Sequence, residues 1–180
     1  RQVSSAASDV YKRQEHESVS RVLHEMSDFF LKDQVIVVTG AAGGIGRAIC
    51  EDLSEAGAKI VLAGRNADTL KETADSLKIA DSLIVSTDIT KPESVKSLLD
   101  ATLAKFRRID GLVNNAGGGS SMKKPEETPH EEWVRMIDFN LTGTFNCCIE
   151  FGKQMISQKY GKIVNISSVA GTKGNPFMLH

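Results

Sequence analysis

"VIVVTGAAGGIG", Val35 to Gly46, is the stretch on which the fold turns. Its first half is an unbroken β-branched run ended by glycine, the pattern of a strand buried on both faces of a parallel sheet. After the glycines, Ile45, Ala48, Ile49, Leu53 and Ala56 recur at helical spacing, with Gly57 as the stop. A strand, a glycine turn and a helix therefore follow one another, and such a turn presents backbone amides and a helix N-terminus to an anion such as a pyrophosphate. Gly40 suits the tight turn, Gly44 lets backbone approach a phosphate, and Gly46 lets the helix lie against the strand. The spacing is G-x-x-x-G-x-G. Arg47 and Ala48 stand where a phosphate-binding P-loop needs lysine and then serine or threonine, which disfavours ATP hydrolysis. Any glycine-rich strand-to-helix turn shares this look, so the turn alone leaves a purely structural role open.

Outward from it the alternation continues. "KIVLAG" (Lys59 to Gly64) reads as a second strand, followed by a helix with Leu70, Ala74 and Leu77 on one face. "SLIVST" is a third strand. Thr90 and Glu93 have capping-box spacing with Pro92 in the first turn, ahead of a helix striped by Val95, Leu98, Leu99, Leu103 and Phe106. "GLVNNAG" (Gly111 to Gly117) is the fourth strand and its exit. Thr128, Pro129 and Glu131 repeat the cap signature before a long helix through Trp133, Ile137 and Leu141 towards Met155, and "KIVNIS" is the fifth strand. Strands alternating with helices through right-handed crossovers make a doubly wound parallel α/β sheet.

The totals bound the function. With 22 basic and 23 acidic residues and a formal charge of −1, nothing global draws the chain to nucleic acid or an anionic membrane. Cys50 and the vicinal pair Cys147 and Cys148 match no metal-ligand spacing, so a reducing cytoplasm is the expected setting. No apolar run approaches the roughly 18 residues of a membrane span. His16, His24, His130 and His180 are dispersed and suggest neither a zinc site nor a triad. "SSAASDVYKRQ" (Ser4 to Gln14) resembles the translation of an adapter used in DNA library preparation, and Met26 opens the first stretch that reads as domain. Residues 1–25 are accordingly expected to be a non-native leader.

"TGAAGGIG", "AGRN", "TDIT", "NNAG" and "NISS" fall in this order at fixed separations, and from Met26 onward the chain resembles a compact short-chain dehydrogenase/reductase. The resemblance implies a single-domain Rossmann oxidoreductase with strand order 3-2-1-4-5 and later strands beyond His180, covering about six-tenths of such a protein. It further implies hydride transfer between NAD(P) and a carbonyl or secondary alcohol, and a parent that is a dimer or tetramer. The look is closest to 3-oxoacyl-carrier-protein reductases and sugar-acid or polyol dehydrogenases. A dinucleotide-binding regulatory protein without turnover is the alternative.

Carried over by register, Gly40, Ala41, Gly44, Ile45 and Gly46 would contact the cofactor's phosphates. Arg65 follows Gly64, where NAD-using relatives tend to carry an acid, so its guanidinium favours the 2′-phosphate of NADP(H), with NAD(H) possible. A solvated arginine opening a helix is the plainer reading. Asp88 and Ile89 resemble the pair flanking the adenine, against a turn aspartate ahead of Thr90. Asn115, Ala116 and Gly117 resemble the segment running along the cofactor. Asn140 resembles the asparagine that distorts its helix and holds a relay water, and Ser168 the serine that hydrogen-bonds the substrate oxygen. The family's tyrosine follows that serine by about thirteen residues, at the first position beyond His180, with its lysine four later. Trp133, Cys147, Cys148 and Met155 read as packing residues, and no metal is expected.

Overall fold

The computed structural model describes residues 30–79, 81–119 and 123–172, and the leader expected at residues 1–25 lies outside them. Strand β1 is Val35–Thr39, and all five of its residues are buried. The reason is visible in the alternation of its side chains. Ile36 and Val38 pack with Ile60, Leu62, Cys50 and Leu70 on one face of the sheet, while Val35 and Val37 pack with Val61, Leu98, Leu112 and Phe151 on the other. A strand with an interior on each side has no polar face to show, hence the unbroken apolar run.

Helix α1 (Gly44–Glu55), β2 (Lys59–Gly64), α2 (Ala67–Ser76), β3 (Ser82–Ser86), α3 (Pro92–Phe106) and β4 (Gly111–Asn114) follow in order. A 3₁₀ turn at Pro125–Glu127 precedes α4 (His130–Ile137), a π turn (Asp138–Thr142), α5 (Gly143–Ser157), β5 (Lys162–Asn165) and a last 3₁₀ turn at Val169–Gly171. The sheet is wholly parallel in the order β3-β2-β1-β4-β5, with Val37 beside both Val61 and Leu112. Helices α1 and α2 contribute Cys50, Leu70 and Ala74 to one core; α3 and α5 contribute Val95, Leu98, Cys147 and Phe151 to the other. This is the doubly wound sheet that the alternation of strands and helices implies. Where β1, β4 and β5 begin, Asp110 holds the strands in register. Its carboxylate accepts from Val35 N–H at 2.8 Å and from Arg108 Nε at 2.9 Å, and its carbonyl accepts from Lys162 N–H at 3.0 Å.

Four local expectations are corrected. Helix α3 is capped by Lys91 without a side-chain bond, because the Thr90 hydroxyl donates to Asp88 Oδ1 at 2.8 Å instead. Helix α4 is capped by Pro129, likewise without a side-chain bond, while the Thr128 hydroxyl turns back to donate to Lys124 O. On α1 the interior goes to Gly46 and Cys50, and Ile45 and Ala48 face outward. Along α4 to α5 the buried line runs through Met136, Gly143, Cys147, Phe151 and Met155, leaving Trp133 and Leu141 exposed. This helix carries apolar residues on more than one face, so its sequence does not settle which side turns inward.

Candidate functional site

At the carboxyl end of β1 the chain reverses through Gly40, whose φ of +66° favours glycine and where a Cβ would lie 2.9 Å from Ala116 Cα. Gly46 is required by space. A Cβ there would come within 2.2 Å of Gly40 O, so helix α1 lies directly on the turn. Gly44 differs from both, since a Cβ would meet nothing within 4 Å. Gly43 caps α1 and brings no side-chain acceptor to the first-turn amides, which leaves them for an anion from outside the chain.

The turn is stapled to the exit of β4 by Thr39 and Asn115. Thr39 Oγ1 donates to Val113 O at 3.3 Å and accepts from the backbone N–H groups of Asn115 and Ala116 at 3.1 and 3.0 Å. Asn115 Nδ2 donates to Thr39 O and Gly40 O at 3.0 and 3.2 Å. A single hydroxyl and a single amide thus hold the two loops on either side of the switch point between β1 and β4. Thr39 was not singled out by sequence; a threonine ahead of the first glycine is the signal that could have found it.

Between these loops and the end of β2 lies a cleft of about 250 Å³, lined by Gly40, Gly43, Arg65, Asn66, Asp88, Ile89, Asn115, Ala116, Gly117 and Phe139, among others. The structure therefore brings together Gly40, Arg65, Asp88, Ile89, Asn115, Ala116 and Gly117. Ala41 lies beneath the cleft, fully buried, its N–H donated to Ala63 O. Gly44, Ile45 and Gly46 form the first turn of α1 beside it. Asn66, also missed, caps α2 by accepting from Asp68 N–H at 2.9 Å and Thr69 N–H at 3.3 Å. Asparagine just before the Leu70 and Ala74 stripe was its signal.

Asp88 Oδ1 accepts from the Thr90 hydroxyl and from Thr90 N–H at 3.0 Å, so its carboxylate is fixed by its own turn. The Thr90 hydroxyl bond is the main cause that holds this carboxyl below the usual carboxylate range, with the Thr90 N–H and the charges of Lys91 and Arg65 acting in the same direction. Arg65 extends over the ring of Phe139, with its Cζ 5.4 Å from the centroid. Arg65, Asp88 and Phe139 also line a second cleft of about 500 Å³ that continues past α4 to His130 and Arg135.

Asn140 lies within the π turn. Its Oδ1 accepts from Gly118 N–H at 2.9 Å, and its Nδ2 donates to Gly118 O at 3.0 Å and Met136 O at 3.1 Å. The side chain thereby clamps the loop after β4, while the Asn140 carbonyl accepts from the Thr144 hydroxyl at 3.1 Å. The first turn of α5, just after the π turn, packs tightly on Ile89: a Cβ on Gly143 would lie 2.6 Å from that side chain, and Asn146 Nδ2 donates to Ile89 O at 3.0 Å. Ser168 is exposed beyond β5, and its carbonyl accepts from Gly171 N–H at 3.0 Å. It lines neither cleft. Among the described residues no group of three or more His, Cys, Asp or Glu side chains is placed to hold a metal, and no helix is long and apolar enough to cross a membrane.

A family model described as short chain dehydrogenase matches residues 34–180. An uncharacterized oxidoreductase of Staphylococcus aureus is 40% identical over 141 residues, spanning 78% of this chain and 61% of its own length. One of Listeria monocytogenes is 36% identical over 150 residues, spanning 81% and 59%. Among solved structures, an NAD+-bound xylitol dehydrogenase matches with a TM-score of 0.80 at 35% identity, over 83% of this chain and 58% of that one. A short-chain type dehydrogenase/reductase from Mycobacterium marinum matches with a TM-score of 0.79 at 31% identity, over 83% and 62%. The chain thus spans about three-fifths of the length of these curated relatives.

Proposed function

The chain belongs to the short-chain dehydrogenase family, and from that membership we propose that its residues carry the cofactor half of an NADP(H)-dependent oxidoreductase acting on a carbonyl or secondary alcohol. The observation that supports this most is the cleft itself, which gathers the glycine turn, Arg65, Asp88 and the Asn115–Gly117 segment at the carboxyl ends of β1, β2, β3 and β4. The fit of a dinucleotide rests on the uncapped amides of α1 and the open space at Gly44. When bound, the cofactor supplies or accepts the hydride.

Each residue then has a task. The first-turn amides of α1 receive the pyrophosphate, aided by the positive end of the helix dipole. The Arg65 fork pairs with the 2′-phosphate, and Gly64 brings no carboxylate to repel it. Asp88 accepts from the adenine amine, and the backbone from Asn115 to Gly117 runs along the cofactor. Asn140 keeps that loop in place through Gly118, and a relay water would share its carbonyl with the Thr144 hydroxyl. Ser168 donates to the substrate oxygen. The proton-donating step is assigned to no residue of this chain. A cytoplasmic dimer or tetramer reducing oxoacyl, sugar-acid or polyol-type substrates completes the reading; the xylitol dehydrogenase among its structural neighbours is a polyol enzyme, and its NAD+ marks NAD(H) as the competing cofactor.

The test is to complete the chain with a relative's C-terminal part and follow NADPH and NADH oxidation against ketones and β-ketoesters. Higher kcat/KM with NADPH is expected, with Arg65→Ala lowering the discrimination roughly 10- to 150-fold, as for loss of a charge-assisted hydrogen bond. Turnover should vanish in Ser168→Ala. Equal use of both cofactors would remove the NADP(H) assignment, and undiminished turnover without Ser168 would remove the serine's role.

A further inference from the structure

Phe139 lines both clefts, yet nothing in its sequence context announces it. Its ring is half-buried and packs against the core that holds Ile89. It lies one residue before Asn140 within the π turn, and its Cε1 is 3.5 Å from where a Cβ on Gly118 would stand. The ring is thus held by the core and by the turn, beside the loop after β4. Arg65, by contrast, is an exposed side chain, and its guanidinium rests over that ring. A guanidinium attracted through its planar face to an aromatic ring still presents its N–H edge to oxygen acceptors. The ring therefore restricts a flexible arginine without occupying its donors, and ordering that side chain in advance removes a cost that ligand binding would otherwise bear.

We infer that Phe139 is a positioning residue for cofactor selection: its ring seats the Arg65 guanidinium so that the N–H edge meets the 2′-phosphate of a phosphorylated dinucleotide. The inference rests on the dinucleotide reading of the cleft and adds to it a residue that selects without touching the phosphate.

The experiment is calorimetric titration of the 180-residue chain with NADP+ and with NAD+, in the wild type, Phe139→Leu and Phe139→Tyr, and again with Arg65→Ala in each background. Phe139→Leu should lower the NADP+ to NAD+ affinity ratio about 2- to 5-fold, the size of an exposed cation–π contact. Phe139→Tyr, which keeps an aromatic face, should hold the ratio, and Phe139→Leu should not alter it once Arg65 is alanine. If Phe139→Leu fails to fold by circular dichroism, Phe139→Met keeps an apolar wall of similar bulk and carries the test. Equal weakening of both dinucleotides, or the same effect with and without Arg65, would overturn the inference while leaving the dinucleotide reading intact. A wild-type chain that binds neither dinucleotide would overturn both.

Discussion

The glycine turn and the β5 edge of the sheet are built differently. Around the glycine turn, Gly40 and Gly46 are fixed by close neighbours, Gly46 having no room for a methyl group, and Thr39 and Asn115 bond across to one another's loops. On the β5 side, all four strand residues are exposed, Ile163 and Val164 among them, and Ser168 is exposed beyond them. Asn114 marks the boundary. Its Nδ2 donates to Asn165 Oδ1 at 2.8 Å, while its buried Oδ1 has no hydrogen-bond partner among the described residues. Among the described residues, then, the glycine turn is enclosed by its neighbours, whereas β5 and Ser168 sit at the sheet edge of a chain that spans about three-fifths of its relatives' length.

The sharpest way to break this comparison lies within the turn itself. Gly46→Ala forces a Cβ against Gly40 O and should cost about 1–3 kcal/mol or more in urea unfolding, as overpacking does. Gly44→Ala meets nothing and should leave stability within about 0.5 kcal/mol, while weakening dinucleotide binding. Equal losses from the two would show that the turn is not held as described.

Next in size is Thr39→Val, which strips the acceptor from the half-buried Ala116 N–H while Asn115 N–H keeps Val113 O, and should cost about 1 kcal/mol, the net size of a lost hydrogen bond. Ser168→Ala on the exposed side should stay within about 0.5 kcal/mol by the same denaturation measurement. A larger loss at Ser168 than at Thr39 would invert the comparison.

Cysteine reactivity sharpens it from another direction. Burial raises the Cys50 and Cys147 thiols to about 12, so the thiolate is scarce at neutral pH. Cys148 is half-buried beside Asn114 and Asn165. Brief alkylation near neutral pH followed by mass spectrometry should mark Cys148 first, and Cys50 and Cys147 only on unfolding. Early labelling of Cys50 would mean that the core beneath the glycine turn opens readily.

The smallest effect concerns acid. Because the folded-state carboxyl of Asp88 titrates below its ordinary value, its stabilising contribution is present above the unfolded pKa and is lost as pH falls through the folded one. The wild type should therefore lose slightly more stability than Asp88→Asn between pH 5 and about pH 3, in urea midpoints. An identical acid slope in both would show that the Thr90 bonds do not favour the ionised form.

What the sequence made readable follows the same division. The runs at Val35 to Thr39 and Lys59 to Gly64 are readable because a strand with two interiors excludes polar residues, and the α3 stripe because Val95, Leu98 and Leu99 form one face. The Thr90 and Thr128 caps misled because each hydroxyl found a nearer acceptor, Asp88 Oδ1 for one and Lys124 O for the other. Ile45 and Ala48 misled because spacing gives a face but not its direction, and Gly46 takes the inward position through close approach. The placement of Phe139 over against Arg65 joins residues far apart in the chain, so no local pattern encodes it.

The central claim, that the glycine turn and the end of β2 receive a nicotinamide dinucleotide, is tested most directly by a residue-resolved NMR titration of the chain with NADP+ and then NAD+. The amides of Gly43 to Gly46, Asp88 and Ala116 should shift and saturate together with either dinucleotide. The Arg65 side-chain N–H signals should respond only to the 2′-phosphorylated one. Shifts absent from the glycine turn, or confined to β5 and Ser168, would contradict the account.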